Sequence, residues 1–122
     1  MAQHALYTTS GDWAGILVDQ YLYNPQGEWI GWVDMEKRVF SVSGEYVGWL
    51  TKDFRVLCRR DTGETQPRRR PPSQPPTRVG VPASVPLAPL MSELTQDIAD
   101  VFDEMPHRLY TLDADPTAKD ID

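Results

Sequence analysis

The chain has few side chains suited to acid–base or nucleophilic chemistry. Its two histidines are His4 and His107, and neither lies in a metal-ligand motif. Its one cysteine, Cys58, precedes Arg59 and Arg60, whose charge could lower the pKa of the thiol. No candidate base lies near Cys58 in sequence, and there is no glycine-rich phosphate loop or G-x-S-x-G turn. We therefore expect no enzymatic activity, no cofactor and no metal.

Acidic residues recur at one position of a repeated pattern. The set is Asp12, Glu28, Glu45 and Glu64. Arranged in a ring, four carboxylates could ligate a cation. The simpler interpretation, which we favour, is that acids after a turn glycine keep the edges of hairpins soluble.

An aromatic residue follows each of the first three acids. These residues are Trp13, Trp29 and Tyr46. Exposed aromatics of this kind stack on ligands in choline- and cell-wall-binding repeats, so the three are candidate ligand-binding residues. Packing between hairpins is the favoured interpretation, because a domain of about 60 residues has little apolar area to bury and needs its large aromatics.

These acids and aromatics belong to a pattern that is repeated along the chain. The copies "GDWAGILV", "GEWIGWVD" and "GEYVGWLT" begin at Gly11, Gly27 and Gly44. A weaker fourth copy, "CRRDTGETQP", has its glycine at position 63, so the first glycines are 16, 17 and 19 residues apart. This period is too short for a helical hairpin but suits two short strands and a turn. The pattern predicts β-hairpins over 1–66.

Each copy has two glycines with different expected roles. The first ends a polar stretch and is expected to supply the positive φ of a turn; the set is Gly11, Gly27 and Gly44. The second lies inside the returning strand, where glycine is unfavourable, so we expect an aromatic ring of the neighbouring hairpin to approach it; the set is Gly15, Gly31 and Gly48. Trp32 and Trp49 follow the last two and are expected to pack between hairpins.

The repeat resembles the bacterial 4-fold β-flower family, with its glycine turns and a "GW" or similar in the returning strand. The resemblance implies hairpin petals with pseudo-fourfold symmetry about a central axis, and it implies no activity. The expected fold is mainly β, with three to four hairpin repeats, a proline-rich arm and one C-terminal α-helix. Because the fourth copy lacks a returning aromatic, the arm is a candidate for the second strand of that petal.

The composition changes after residue 66. Segment 67–90 holds most of the prolines and should be extended, since proline fixes φ and lacks an N–H. It begins with three arginines, Arg68, Arg69 and Arg70, which we interpret as a solvated run. One interpretation of this segment is a linker; the other is that the apolar end of the arm lies across the hairpins.

One helix is predicted over 91–106, followed by a polar tail over 107–122. Ser92 can cap the first turn and Pro106 ends the helix. Apolar residues recur with helical spacing and form one docking stripe. The stripe is Leu94, Ile98, Val101, Phe102 and Met105.

Charge and composition limit the possible partners. Residues 81–122 carry 2 positive and 9 negative side chains, and the whole chain has a net charge of −6, which disfavours nucleic acid. The sequence has neither a secretory signal nor a run long enough to span a bilayer. With a single cysteine, the expected location is the cytoplasm.

We expect a non-enzymatic structural or protein-interaction module, in which the arm and helix dock on the hairpins or on a partner. The partner would be a protein, either another chain or a second copy in a weak homodimer. The alternative is a small ligand-binding module for choline, glycan or lipid that uses the repeated aromatics. Lipid binding stays open.

Overall fold

A computed structural model describes residues 3–60, 67–73 and 75–111. The chain forms one antiparallel sheet of eight strands in which each strand pairs with the next along the chain. The strands are β1 Gln3–Tyr7, β2 Trp13–Val18, β3 Tyr21–Tyr23, β4 Trp29–Val33, β5 Arg38–Ser41, β6 Tyr46–Leu50, β7 Val56–Arg59 and β8 Ile98–Asp100. A single helical turn, α1 (Val101–Glu104), and a 3-10 helix, Pro106–Arg108, follow β8. The mainly β fold of the sequence analysis is confirmed.

Three outer turns, at 8–12, 24–28 and 41–45, close the hairpins, and a glycine stands at the same place in each. Gly11, Gly27 and Gly44 have φ of 95°, 82° and 89°, a conformation that only glycine adopts readily. The amide of each donates to the carbonyl three residues earlier, as from Gly27 to Asn24 at 2.9 Å. The side chain of that earlier residue accepts from the amide after the glycine, as Asn24 Oδ1 does from Glu28 at 2.9 Å.

The second glycine of each copy lets neighbouring hairpins come together. A Cβ on Gly15, Gly31 or Gly48 would overlap a backbone carbonyl of the next hairpin, that of Tyr23, Phe40 or Leu57. The close approach expected from the sequence is therefore made by backbone and not by an aromatic ring.

The sheet is buried on both faces, because alternate residues of β2 to β5 belong to two separate apolar clusters. In β2, Leu17 lies in one cluster, while Ile16 and Val18 lie in the other. Residues from α1 and its surroundings complete the first, which we call the helix-side cluster. The second, the arm-side cluster, contains five of the six aromatic residues that are buried in the described ranges: Tyr21, Tyr23, Trp29, Trp32 and Phe40.

The proline-rich arm lies across the outer turns and closes over the arm-side cluster. It meets the hairpins in reverse order: the Arg69 amide donates to the Gly44 carbonyl at 3.1 Å, and the Val79 amide to that of Gly27 at 2.8 Å. Three tyrosine hydroxyls donate to arm carbonyls: Tyr21 to Ser73 at 2.5 Å, Tyr23 to Pro76 at 3.0 Å and Tyr7 to Pro86 at 2.7 Å. Carbonyls of an extended arm have no partner within the arm, so these hydroxyls satisfy acceptors that would otherwise need water.

The predicted C-terminal helix is present, but it is much shorter than the expected span of 91–106. Residues 98–100 instead form β8, which pairs with the open edge of β7, and the helix begins only at Val101. Asp100 fixes this start: it is 1 % exposed, accepts from the Phe102 amide at 3.1 Å, and accepts from the Thr9 amide at 2.7 Å. β8 also occupies the place at which the proline arm was a candidate strand, so that expectation is wrong.

The stripe predicted for helix docking is spread over three elements. Leu94 lies in the segment before β8, and Ile98 begins β8; both are half-buried. Val101 is fully buried, and Phe102 and Met105 pack against the helix-side cluster. In the described ranges, no helix has the length and apolar character needed to cross a membrane. Gly63, Glu64 and tail residues 112–122 lie outside the described residues.

Candidate functional site

Three inner turns, at 18–21, 34–38 and 51–55, follow the three hairpins along the chain. They lie around one cavity of about 660 Å³. Asp19, Lys37 and Phe54, one from each turn, line it with positive φ values of 56°, 67° and 61°. For a residue other than glycine this backbone conformation costs roughly 1–2 kcal/mol. Strain of this kind is concentrated at functional sites, so the cavity is the candidate site.

Two inner turns have the same hydrogen-bond pattern as the outer turns, but Lys37 and Phe54 stand in the place of the glycine. The amide of Lys37 donates to Asp34 at 3.1 Å, and that of Phe54 to Thr51 at 3.2 Å. In the outer turns a Cβ on Gly27 or Gly44 would overlap a carbonyl of the arm. The hydrogen bonds that the arm makes to turn backbone go to outer turns, and the inner turns carry side chains that line a cavity instead.

The cavity has apolar and aromatic walls. Leu17, Trp49 and Leu50 line it, and Trp49 is half-buried. The ring of His4 stacks on that of Phe54, with centroids 4.8 Å apart and planes 12° apart. Flat rings and aliphatic side chains together form a surface that an apolar ligand can contact.

Two lysines stand at the edge of this cavity, Lys37 and Lys52. They are the only lysines within the described ranges, since the third, Lys119, lies beyond residue 111. The ion pairs within those ranges are all made by arginines, and neither lysine takes part in one. Among the described residues that line the cavity, Asp19 is the one acid.

A second cavity, of about 480 Å³, lies beside the start of the arm. Here the Arg69 guanidinium lies 5.2 Å from the centroid of the Phe40 ring and pairs with Asp34 at 2.8 Å. Burial opposes ionisation of the Asp34 carboxyl, but hydrogen bonds from Arg38 and Glu36 outweigh it and lower the pKa. This charge network ties the arm to the sheet, so we assign the second cavity a structural role.

Comparison with known proteins identifies the fold. Residues 4–94, about three quarters of the chain, match the family model described as "4-fold beta flower protein". The chain belongs to the 4-fold beta-flower family. Searches of curated proteins and of solved structures gave no significant match. The match includes the arm, in agreement with the way the arm packs on the hairpins of this beta flower.

The three predicted ligand-binding aromatics do not form a bare surface in this beta flower. Trp29 is only 4 % exposed, and its Nε1 donates to the Gly31 carbonyl at 2.7 Å. Trp13 makes the same bond to Gly15 at 2.7 Å, and Tyr46 packs edge-on against Phe40. The burial of Trp29 leaves it little surface for contact with a ligand.

Two of the repeated acids pair with arginines of the arm. Glu28 pairs with Arg78 at 3.3 Å, and Glu45 with Arg68 at 3.2 Å. The run of arginines is therefore partly engaged with the turns and is not simply solvated. The fourth acid lies outside the described residues, and within them no group of three or more histidine, cysteine or acidic side chains could hold a metal.

Cys58 is buried in the helix-side cluster. Burial raises the pKa of its thiol, although the charges of Arg108 and Arg60 act in the opposite direction. The neighbouring arginines therefore do not lower the pKa of Cys58 below its ordinary value, because β7 places the Cys58 side chain in the apolar interior. A protonated, buried thiol is a poor nucleophile.

Sequence reasoning missed the residues that line the cavity. A second, glycine-free repeat could have revealed the inner turns: "DMEKR" at 34–38 and "TKDFR" at 51–55 lie 17 residues apart, between successive glycine turns. The residue types alone are ordinary, and only the turn geometry singles out Lys37 and Phe54.

Proposed function

We propose that this beta flower is a non-enzymatic binding module for a small molecule, and that its site is the cavity between the inner turns. The observation that carries the proposal is that three side chains held at positive φ line the same cavity. Glycine would adopt this backbone conformation without the cost that these side chains carry, so three such side chains at one cavity support a role beyond folding.

The cavity is suited to such a role in size and composition. Its volume of about 660 Å³ falls in the range of small-molecule sites, roughly 300–1,000 Å³. Its walls combine aliphatic side chains and rings with a few polar groups, among them Thr51 and Lys52. This mixture gives contact area from the apolar part and orientation from the polar part.

A fragment screen by nuclear magnetic resonance tests the proposal. A mixture of neutral, cationic and anionic fragments, aromatic and aliphatic, should shift the backbone amides of Leu17, Lys37 and Phe54. The amides of Met35 and Arg70, which belong to the second cavity, serve as the internal control. If no fragment at millimolar concentration shifts the first set, the proposed function is refuted.

Self-association is a second candidate function, and the outer side of the arm favours it. Leu87 is 97 % exposed and Leu90 is fully exposed, on a segment that otherwise packs against the hairpins. Exposed large apolar side chains that lie close together in sequence are typical of interaction surfaces. Sedimentation velocity should detect a weak dimer that is lost in the double variant Leu87→Ser/Leu90→Ser. A wild-type chain that stays monomeric at millimolar concentration would refute this second candidate.

A cytoplasmic location is part of the same proposal. It is supported by Cys58, which is free and buried, because a reducing compartment does not require cysteines to be paired. The absence of catalytic chemistry is likewise proposed, supported by the protonated state of this thiol.

A further inference from the structure

The charge around the cavity between the inner turns is opposite to that of the chain. The described lining residues include two lysines, Lys37 and Lys52, and one carboxylate, that of Asp19, so their net charge is positive, while the chain has a net charge of −6. A cationic cavity attracts anionic ligands locally, even though the protein as a whole is anionic.

The arginines and lysines of the described residues differ in their partners, and this difference also favours an anionic ligand. Arginines make the ion pairs that hold the fold together, such as Arg55 with Asp53 at 3.0 Å and Arg60 with Glu104 at 2.5 Å. Both lysines of the described ranges line the cavity and have no acidic partner there. An ammonium group is a compact charge with three hydrogen-bond donors. Two ammonium groups at the same cavity can therefore donate to one anionic group.

The aromatic rings of the lining favour a ligand that has a flat apolar part in addition to its anionic group. The stacked rings of His4 and Phe54 and the half-buried ring of Trp49 offer flat surfaces. Flat apolar molecules stack on aromatic rings over a large contact area. A rigid molecule also loses less conformational freedom on binding than a flexible chain does.

We propose that the cavity binds an aromatic carboxylate, with the carboxylate at Lys37 and Lys52 and the ring system against Trp49 and Phe54. This inference rests on the proposed function and adds the ligand class to it. It also separates the site from choline recognition, which requires an aromatic cage for a cation and not a pair of lysines.

Three probes of matched shape test the ligand class: 2-naphthoate, 2-naphthalenemethanol and 2-naphthylmethylammonium, each titrated by isothermal calorimetry at low salt. We expect 2-naphthoate to bind at least about tenfold more tightly than the neutral alcohol, and the cation to bind more weakly than either. Raising the salt concentration should weaken the binding of the carboxylate alone, because salt screens exposed charges.

Substitution of the lysines gives the second arm of the test. The double variant Lys37→Gln/Lys52→Gln should abolish the preference for 2-naphthoate and leave the affinity for the alcohol unchanged. Arg70→Gln, which removes a positive charge from the second cavity, should keep the preference and is the matched control.

The outcomes distinguish this inference from the proposed function. If the alcohol binds as tightly as the carboxylate, the cavity is a binding site but the ligand class is refuted. If the cation binds most tightly, the ligand class is again refuted. If none of the probes binds and the fragment screen also finds no ligand, both proposals fail. The comparison of probes on the wild-type chain decides the matter even if the lysine variants do not fold.

Discussion

Gly48→Ala tests whether close backbone approach explains the glycine inside each returning strand. A Cβ at this position would lie 2.9 Å from the carbonyl carbon of Leu57 and 3.2 Å from Cys58 Cβ, whereas ordinary contact begins at 3.4 Å. The obstacle is backbone of β7, so β6 and β7 must separate. Such overpacking costs about 1–3 kcal/mol, and losing one hydrogen bond of the ladder costs about 0.5–1.5 kcal/mol more. We therefore expect the free energy of unfolding to fall by about 2–4 kcal/mol.

Urea and thermal denaturation followed by circular dichroism measure this loss. For 122 residues, 1 kcal/mol corresponds to about 4 °C in the midpoint of thermal unfolding, so we expect a decrease of about 8–16 °C. Gly80→Ala is the matched control, because a Cβ there would have no neighbour within 4 Å; it should change stability by less than about 1 kcal/mol. If both variants unfold at the same temperature, close backbone approach is not the reason for glycine inside the returning strands.

Three further predictions concern the inner turns, the arm and the acid sensitivity of the fold. Lys37→Gly relieves a positive φ of 67°, so it should raise the free energy of unfolding by about 0.5–1 kcal/mol in urea; an unchanged value would show that the turn is not strained. Tyr23→Phe removes the bond to Pro76, so it should cost about 0.5–1.5 kcal/mol and speed hydrogen exchange at the Val79 amide, and unaltered exchange would argue against this anchor. Asp34 has a pKa below its ordinary value, because hydrogen bonds to the carboxylate outweigh its burial. Its contribution is therefore complete above the unfolded pKa of about 3.9 and is lost as the pH falls through the folded pKa. Asp34→Asn should be less stable than wild type at pH 7 by urea denaturation, with the gap closing below about pH 4; a gap that is constant with pH would contradict this.

The hairpins were predictable because the information that specifies them is local. A turn glycine every 16–17 residues, flanked by β-branched and aromatic residues, leaves little choice other than short strands. Burial of Trp32 between β4 and β5 also follows from this pattern, and its ring stacks on Phe40 with centroids 4.5 Å apart.

The last strand and the cavity were not predictable, since both depend on contacts between distant residues. Ile98 and Val101 fit a helical stripe as well as they fit a strand followed by a turn, and only the free edge of β7 decides between the two. The cavity collects residues from β1, β2, β6 and three turns, from His4 to Phe54. Nothing in a single stretch of sequence indicates that they meet.

The reverse order in which the arm crosses the hairpins has a consequence during synthesis. The three hairpins close locally as soon as they leave the ribosome, but the tyrosines and tryptophans of the arm-side cluster stay uncovered until the arm has followed. About 40 residues separate β6 from the end of the arm, and at about 5–20 residues per second their translation takes roughly 2–8 s. For that interval a nascent chain presents a broad aromatic face to its surroundings, and the third hairpin is the first to be covered. Chaperone contacts with this protein should therefore be concentrated in the interval between synthesis of β6 and of residue 90.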